Sequence, residues 1–224
     1  MASDQSRSLP DDAGETTTMD SAGKHDLSSA MNHSIVAQAR DAATAMHDTC
    51  GHKRSDGTPY WTHPRRVAET LAAHGQPPEV LAAAWLHDTA EDCPSDRAGS
   101  LKLLARFATD FGPEVAALVA EVTNFFGPEA SMEEKQARLR EHARTMSDGA
   151  KWIKLADRLD NITGMVGWPA EKRRRYASAT QLLLDALRPW PRGSEGLAGR
   201  IAAAAGIHLA DGSGGTAPVA PDAS

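Results

Sequence analysis

The chain has 224 residues, a formal net charge of −6, and 41% hydrophobic against 5% aromatic residues. That length fits one medium domain with some chain to spare, and the apolar fraction is enough for a real core. The acidic balance argues against nucleic acid and anionic membrane as partners, two cysteines are too few for a disulfide framework, and no run has the length of a signal core or a membrane span.

Residues 1–33 are rich in Ser, Asp, Thr and Gly, with almost no large apolar side chains, and read as a disordered tail. The folded domain is expected over residues 34–208, with a second loose tail over 209–224. Ile35 to His47 predicts an amphipathic helix. A Gly-rich, basic connection follows from Gly51 to Tyr60, its Gly and Pro residues marking turns. His63-Pro64 opens the next helix, with Pro in its first turn, running towards Gly75. Pro77-Pro78 starts another helix, expected to continue to Cys93-Pro94. Leu101 to Phe111, closed by Gly112-Pro113, and Val115 to Val122 are further helices, and Phe125-Phe126-Gly127-Pro128 is a break. Ser131-Met132-Glu133-Glu134 has the form of an N-terminal cap before a polar helix. Ala150–Met165, Glu171–Leu187 and Glu195–Ala205 complete the set. Ala and Leu dominate, there is no strand alternation and no internal repeat, so the fold class is all-α.

The most informative stretch is Trp85-Leu86-His87-Asp88-Thr89-Ala90-Glu91-Asp92. On a continuous helix His87 and Glu91 share a face, as do Asp88 and Asp92. The run leading into them, Val80 to Leu86, is apolar almost all round and belongs in a core. Carboxylates there cost several kcal/mol unless compensated, and a divalent cation is the simplest compensation. A second apolar helix, Trp152-Ile153-Lys154-Leu155-Ala156-Asp157-Arg158-Leu159-Asp160-Asn161, repeats the pattern. Asp157 is a candidate ligand with Asn161 as its hydrogen-bond partner one turn on. His63, His87, Asp88 and Asp157 together supply two imidazoles and two carboxylates, a mix suited to Mn²⁺, Fe²⁺ or Zn²⁺ with positions left for water. Asp92 or Glu91 is then placed to take a proton from that water. Lys53, Arg54, Lys154 and Arg158 are candidates to meet an anionic substrate, and Arg54 can also stack on a base. The run Lys172 to Arg175 reads as a solvated face, with Tyr176 as a pocket wall. His33, His47, His52, His74, His142 and His208 are expected to be non-ligands, and Cys50 and Cys93 plain thiols.

On these stretches the sequence resembles the HD-domain metal phosphohydrolases. More narrowly, it is similar to the alarmone hydrolase domain of the RelA/SpoT family in its small stand-alone form. The similarity rests on Arg54 to Pro64, Leu86 to Asp92, Phe111 to Val115 with Val122-Thr123, and Lys154 to Asn161. It implies an HD-type helical bundle with a central metal site. It also implies Mn²⁺-dependent removal of the 3′-pyrophosphate from (p)ppGpp, leaving GDP or GTP. By the same resemblance His63, His87, Asp88 and Asp157 are the ligands, one ion per chain. Glu91 and Asp92 are the acids that orient and deprotonate water, Arg54 lies against the purine, and Asn161 is in the nucleoside pocket. The family usually has His where Asp160 stands, often Lys where Asn124 stands, and commonly Thr where Gly164 stands. These departures leave the ligands in place and bear on the base and the phosphate grip.

The expected partner is a small nucleotide, with a homo-oligomer open and no nucleic acid or membrane. The expected location is the cytoplasm. The competing enzyme readings keep the site and change the substrate, to ppApp or to the phosphate of NADPH. A non-catalytic nucleotide-binding module is the competing class.

Overall fold

Ala82, Ala83, Ala84, Trp85 and Leu86 leave no polar face on the helix that carries them, and every residue from Val80 to Leu86 is buried. This helix, α3 (Pro78–Leu86), is the axle of the domain in the computed structural model, which describes residues 27–125, 129–165 and 167–210. Around α3 pack α1 (Ser34–Cys50), α2 (Thr62–Ala73), α6 (Pro113–Val122) and α8 (Asp148–Thr163). Burying an apolar side chain such as Trp85, Leu86 or Leu81 stabilises a fold by about 1.5–3 kcal/mol. Outside this shell, α5 (Arg97–Asp110) packs on α6, while α7 (Met132–Ala143) and α10 (Glu195–Ala210) flank α9 (Ala170–Ala186). No strand is present among the described residues beyond a single Lys53–Pro59 bridge, as an all-α reading requires. No described helix is long and apolar enough to cross a membrane.

Local chemistry sets the helix ends. Pro78 and Pro113 occupy first-turn positions, where a missing N–H costs nothing. Ser131 and Glu134 form the expected capping box of α7. Ser147 caps α8 through the Ala150 amide, and Glu121 grips Ser147 in turn at its amide (2.6 Å) and hydroxyl (3.0 Å). Gly149 lets α8 approach closely, since a Cβ there would lie 2.8 Å from Leu118 Cδ2 and 3.4 Å from Val80 Cγ2. The two site-bearing helices, α3 and α8, are thereby held together.

The structure departs from the sequence expectation in three places. The helix expected to run unbroken to Cys93 breaks at His87–Asp88 and resumes as α4 (Thr89–Asp92). Side chains take the carbonyls that a continuous helix would use: His87 Nδ1 donates to Ala84 O (2.7 Å) and Thr89 Oγ1 to Leu86 O (2.6 Å). The expected straight stripe of four polar groups is therefore a bend that turns His87 and Asp88 inward. α5 begins at Arg97 rather than near Leu101, because Asp96 accepts from the Gly99 amide at 2.7 Å and caps it earlier. Residues 27–31, read as tail, are helical, and Leu27, Ala30 and Met31 pack on the core. The remainder of both expected tails, 1–26 and 211–224, and residues 126–128 of the expected break lie outside the described residues.

Candidate metal centre

His63 enters from the first turn of α2, His87 and Asp88 from the bend after α3, and Asp157 from the middle of α8. His63 Nε2 lies 3.4 Å from both Asp88 Oδ2 and Asp157 Oδ1, and His87 Nε2 lies 3.1 Å from Asp88 Oδ2. The two imidazoles meet edge to face, with ring centroids 5.1 Å apart. Donor atoms of His63, His87 and Asp88 all fall within 4.8 Å of one another. The four residues singled out from the sequence therefore converge.

Each imidazole is oriented by its other nitrogen. His87 Nδ1 is bound to the Ala84 carbonyl and His63 Nδ1 to Asp160 Oδ2 at 2.6 Å. Both Nε2 atoms are then turned into the site, buried and without a hydrogen-bond partner. A buried nitrogen left unpaired is costly. Two such nitrogens converging beside two carboxylates fit a divalent transition ion, and binding one would satisfy both. The carboxylates have partners of their own. Tyr60 donates to Asp88 at 2.8 Å, Lys154 to Asp157 at 3.2 Å, and Asn161 Nδ2 to Asp157 Oδ1.

The charges are strongly coupled to this geometry. Burial works against a charged Asp88, yet His87 and His63 hold it well below the usual carboxylate range. Burial also opposes the charge on Asp157, but Lys154 and His63 hold it down. Burial works against a charged His63 ring, but the surrounding carboxylates of Asp157, Asp160 and Asp88 push it well above an ordinary histidine. Asp160 itself lies low despite partial burial, held by His63 and Arg66.

Glu91 and Asp92 stand at the solvent-facing mouth, on the short helix that follows the bend. Glu91 Oε2 is pinned by the Asn124 amide (2.9 Å) and Nδ2 (3.2 Å), so the residue standing where the family often has Lys orients an acid. Desolvation still raises the Glu91 carboxyl. Asp92 is pushed up to about 7, by burial and by the negative charges of Asp88 and Glu91.

Next to this mouth opens a cleft of about 600 Å³, walled by Glu91, Arg158, Trp168, Lys172, Arg175 and Tyr176, with Lys135 and Arg140 on α7 facing it. The Arg158 guanidinium stacks 4.6 Å above the Tyr176 ring, and Lys172 Nζ lies 3.8 Å from the Trp168 ring centre. Part of the run read as a solvated face thus lines a pocket, with Tyr176 as its wall. Lys154 is committed to Asp157. Arg54, held inward by the turn that Asp56 closes onto Thr58, pairs with Asp160 at 3.1 Å. Lys53 is exposed on the same turn, and no ion pair joins it to the cluster among the described residues.

Sequence reasoning passed over Tyr60 and Asp160, which orient Asp88 and His63, and Arg66, which pairs with Asp160. For Tyr60 and Asp160 the sequence signal is position inside the stretches singled out above, while Arg66 lies two residues beyond the first of them. Sequence reasoning also set aside His47, His52 and Cys93, which the fold brings together.

The HD-domain family profile matches residues 39–187, and the chain belongs to that family. Among relatives, it is 33% identical over 162 residues to the zebrafish (Danio rerio) guanosine-3′,5′-bis(diphosphate) 3′-pyrophosphohydrolase MESH1, covering 69% of this chain and 84% of that protein. It is 36% identical over 156 residues to the Drosophila melanogaster protein of the same name, covering 65% and 80%. It is 35% identical over 151 residues, 66% of this chain, to the probable GTP pyrophosphokinase of Mycobacterium leprae, of whose length it spans 18%. A solved structure described as a metazoan ortholog of SpoT that hydrolyzes ppGpp superimposes with a TM-score of 0.63 at 26% identity, covering 80% of this chain and 96% of that one.

Proposed function

We propose that the protein is a metal-dependent hydrolase that removes the 3′-pyrophosphate of (p)ppGpp, with Mn²⁺ as its ion. The observation that carries this reading is the pair of buried, unpartnered Nε2 atoms of His63 and His87, facing Asp88 and Asp157 beside a basic, aromatic cleft. The relatives named for ppGpp pyrophosphohydrolysis support the choice of substrate.

His63, His87, Asp88 and Asp157 would hold the ion, and a mixed nitrogen and oxygen set accepts Mn²⁺ readily. When bound, the ion acidifies water and neutralises phosphoryl charge. Asp160 and the Ala84 carbonyl keep both imidazoles in the ligating orientation. Tyr60 and Lys154 hold the two carboxylates in place. Asp92, poised near neutrality, accepts the proton of the attacking water at its carboxylate oxygen. Glu91, fixed by Asn124, orients that water. Lys172, Arg175 and Arg158 receive phosphate charge, and the Trp168 and Tyr176 rings offer stacking surface to the nucleoside. Arg54 borders the purine from its pairing with Asp160. A free nucleotide as substrate supports a cytoplasmic location for the protein.

The test is product analysis. Purified protein with Mn²⁺ is offered ppGpp, ppApp and NADPH in parallel. The reading expects GDP and pyrophosphate from ppGpp as the fastest reaction. Orthophosphate as the product, or NADPH as the preferred substrate, overturns it.

A further inference from the structure

On the far side of Tyr60 from the HD centre lies a second cluster of metal-competent groups. His47 comes from the last turn of α1, His52 from the loop after it, and Cys93 from the end of α4. Their donor atoms lie within 4.8 Å of one another. Cys50, the last residue of α1, stands beside Cys93. His47, His52 and Cys93 thus form a two-imidazole, one-thiol set around one point, with the Cys50 thiol adjacent. The Tyr60 ring separates the two clusters, with its centroid 4.8 Å from His47 and 5.8 Å from His63.

An independent observation points to a ligand. His47 is 1% exposed, and neither of its ring nitrogens has a hydrogen-bond partner. Every other buried histidine of the site region has at least one nitrogen satisfied, His63 by Asp160 and His87 by Ala84. A polar ring packed inside a protein without a partner on either side costs free energy, and such groups call for a specific explanation. The neighbours of His47 are themselves donors of the kind a thiophilic ion selects.

We propose that His47, His52 and Cys93 form a second metal site of the Zn²⁺ type. Two imidazole nitrogens and one thiolate are a recognised zinc donor set that leaves the fourth position to water, and thiolate discriminates against Mn²⁺. The site ties the end of α1, the loop that carries Arg54 and Tyr60, and the segment just past Glu91 and Asp92 into one unit. Its role is to brace the wall behind the catalytic mouth, separately from the ion that does the chemistry.

The experiment uses the full chain, reduced and stripped of metal, titrated with Co²⁺ as a spectroscopic stand-in for Zn²⁺. The HD centre has no sulfur donor, so a thiolate-to-cobalt charge-transfer band reports the second site alone. The expected result is that band, saturating at one equivalent, with the visible bands of tetrahedral cobalt, and its complete loss on adding Zn²⁺. Cys93→Ser abolishes the band. His52→Gln, at a half-exposed loop position, keeps sulfur but weakens binding by about tenfold or more. Asp88→Asn, which removes a donor of the HD centre, leaves the band intact, so failure of the catalytic reading and failure of this one are told apart. Absence of a charge-transfer band at saturating Co²⁺, or a band that survives Cys93→Ser, overturns the proposal.

Discussion

Asp160 turns His63 to face the metal centre: Asp160 Oδ2 holds His63 Nδ1 at 2.6 Å, and Nε2 is left 3.4 Å from both Asp88 and Asp157. The carboxylate stands where the family usually has His. Arg54 and Arg66 converge on it as well, so one residue links the orientation of His63 to the position of two cations. Asp160→Ala is expected to weaken metal binding by about 10–100-fold, the usual effect of removing a partner that orients a ligating histidine. Competition with a metal-binding dye measures this. Affinity equal to that of the unaltered chain would show that Asp160 does not orient His63.

The carboxylates around His63 hold its ring well above an ordinary histidine, which favours a proton on Nε2 when no ion is bound. An ion at Nε2 must expel that proton, so metal affinity rises with pH. A full proton released gives about a tenfold gain per pH unit below the raised pKa. The same shift makes the proton-stabilised, metal-free form strongest below about 6.5, the unfolded-state value, and progressively weaker as pH rises through the folded value. Calorimetry in buffers of different ionisation enthalpy counts the protons released on Mn²⁺ binding, and zero release contradicts the assignment.

Asp92 and Glu91 are predicted to matter for turnover and not for metal retention. Asp92→Asn and Glu91→Gln should lower kcat by about 10²–10⁴-fold, the range of general acid–base catalysis, while the chain keeps its ion. Asp92 sits at about 7 in the metal-free fold. The active form is the ionised one, so kcat rises with pH on the acid limb, and a nearby cation shifts that limb downward. If Asp92→Asn removes the limb, Asp92 is the base. If Glu91→Gln removes it instead, the two roles are exchanged.

Lys172 and Arg175 line the cleft from an exposed helix face. Their contacts to phosphate are solvent-screened, so each alanine substitution should raise KM roughly two- to fivefold with kcat little changed. The effect should shrink in high salt. A loss confined to kcat would place these side chains at the reacting phosphate instead.

Gly164 stands where the family commonly has Thr, and its space is used by Arg54: a Cβ there would lie 2.6 Å from Arg54 Nη2. Gly164→Ala is expected to displace the guanidinium from Asp160 and raise KM for the nucleotide. Unchanged KM across the guanosine and adenosine substrates would argue that Arg54 does not border the base.

Three of the candidate ligands were legible in the sequence because His87 and Asp88 follow the apolar run Val80–Leu86 and Asp157 is flanked by Leu155, Ala156 and Leu159, where an acid has no reason to be for stability alone. What the sequence did not reveal depends on contacts between distant residues. Tyr60 reaches Asp88 across 28 positions, and Asp160 reaches His63 across 97. The bend at His87–Asp88 was hidden because helical spacing counts residues and ignores side chains that capture backbone carbonyls. Lys172 and Arg175 read as a solvated face because their own helix is polar there. The Trp168 ring and the facing helix α7 turn that face into a pocket wall. His47 and Cys93 carried no spacing signal, since their helices meet only in the fold.

Mn²⁺ titration followed by electron paramagnetic resonance shows whether His63, His87, Asp88 and Asp157 bind one catalytic ion. The free-ion signal should be quenched to one equivalent per chain, and ppGpp hydrolysis should rise in proportion. Asp157→Asn and His87→Ala should abolish both effects in chains that remain helical by circular dichroism. Mn²⁺ binding and turnover that persist in both variants would contradict the account.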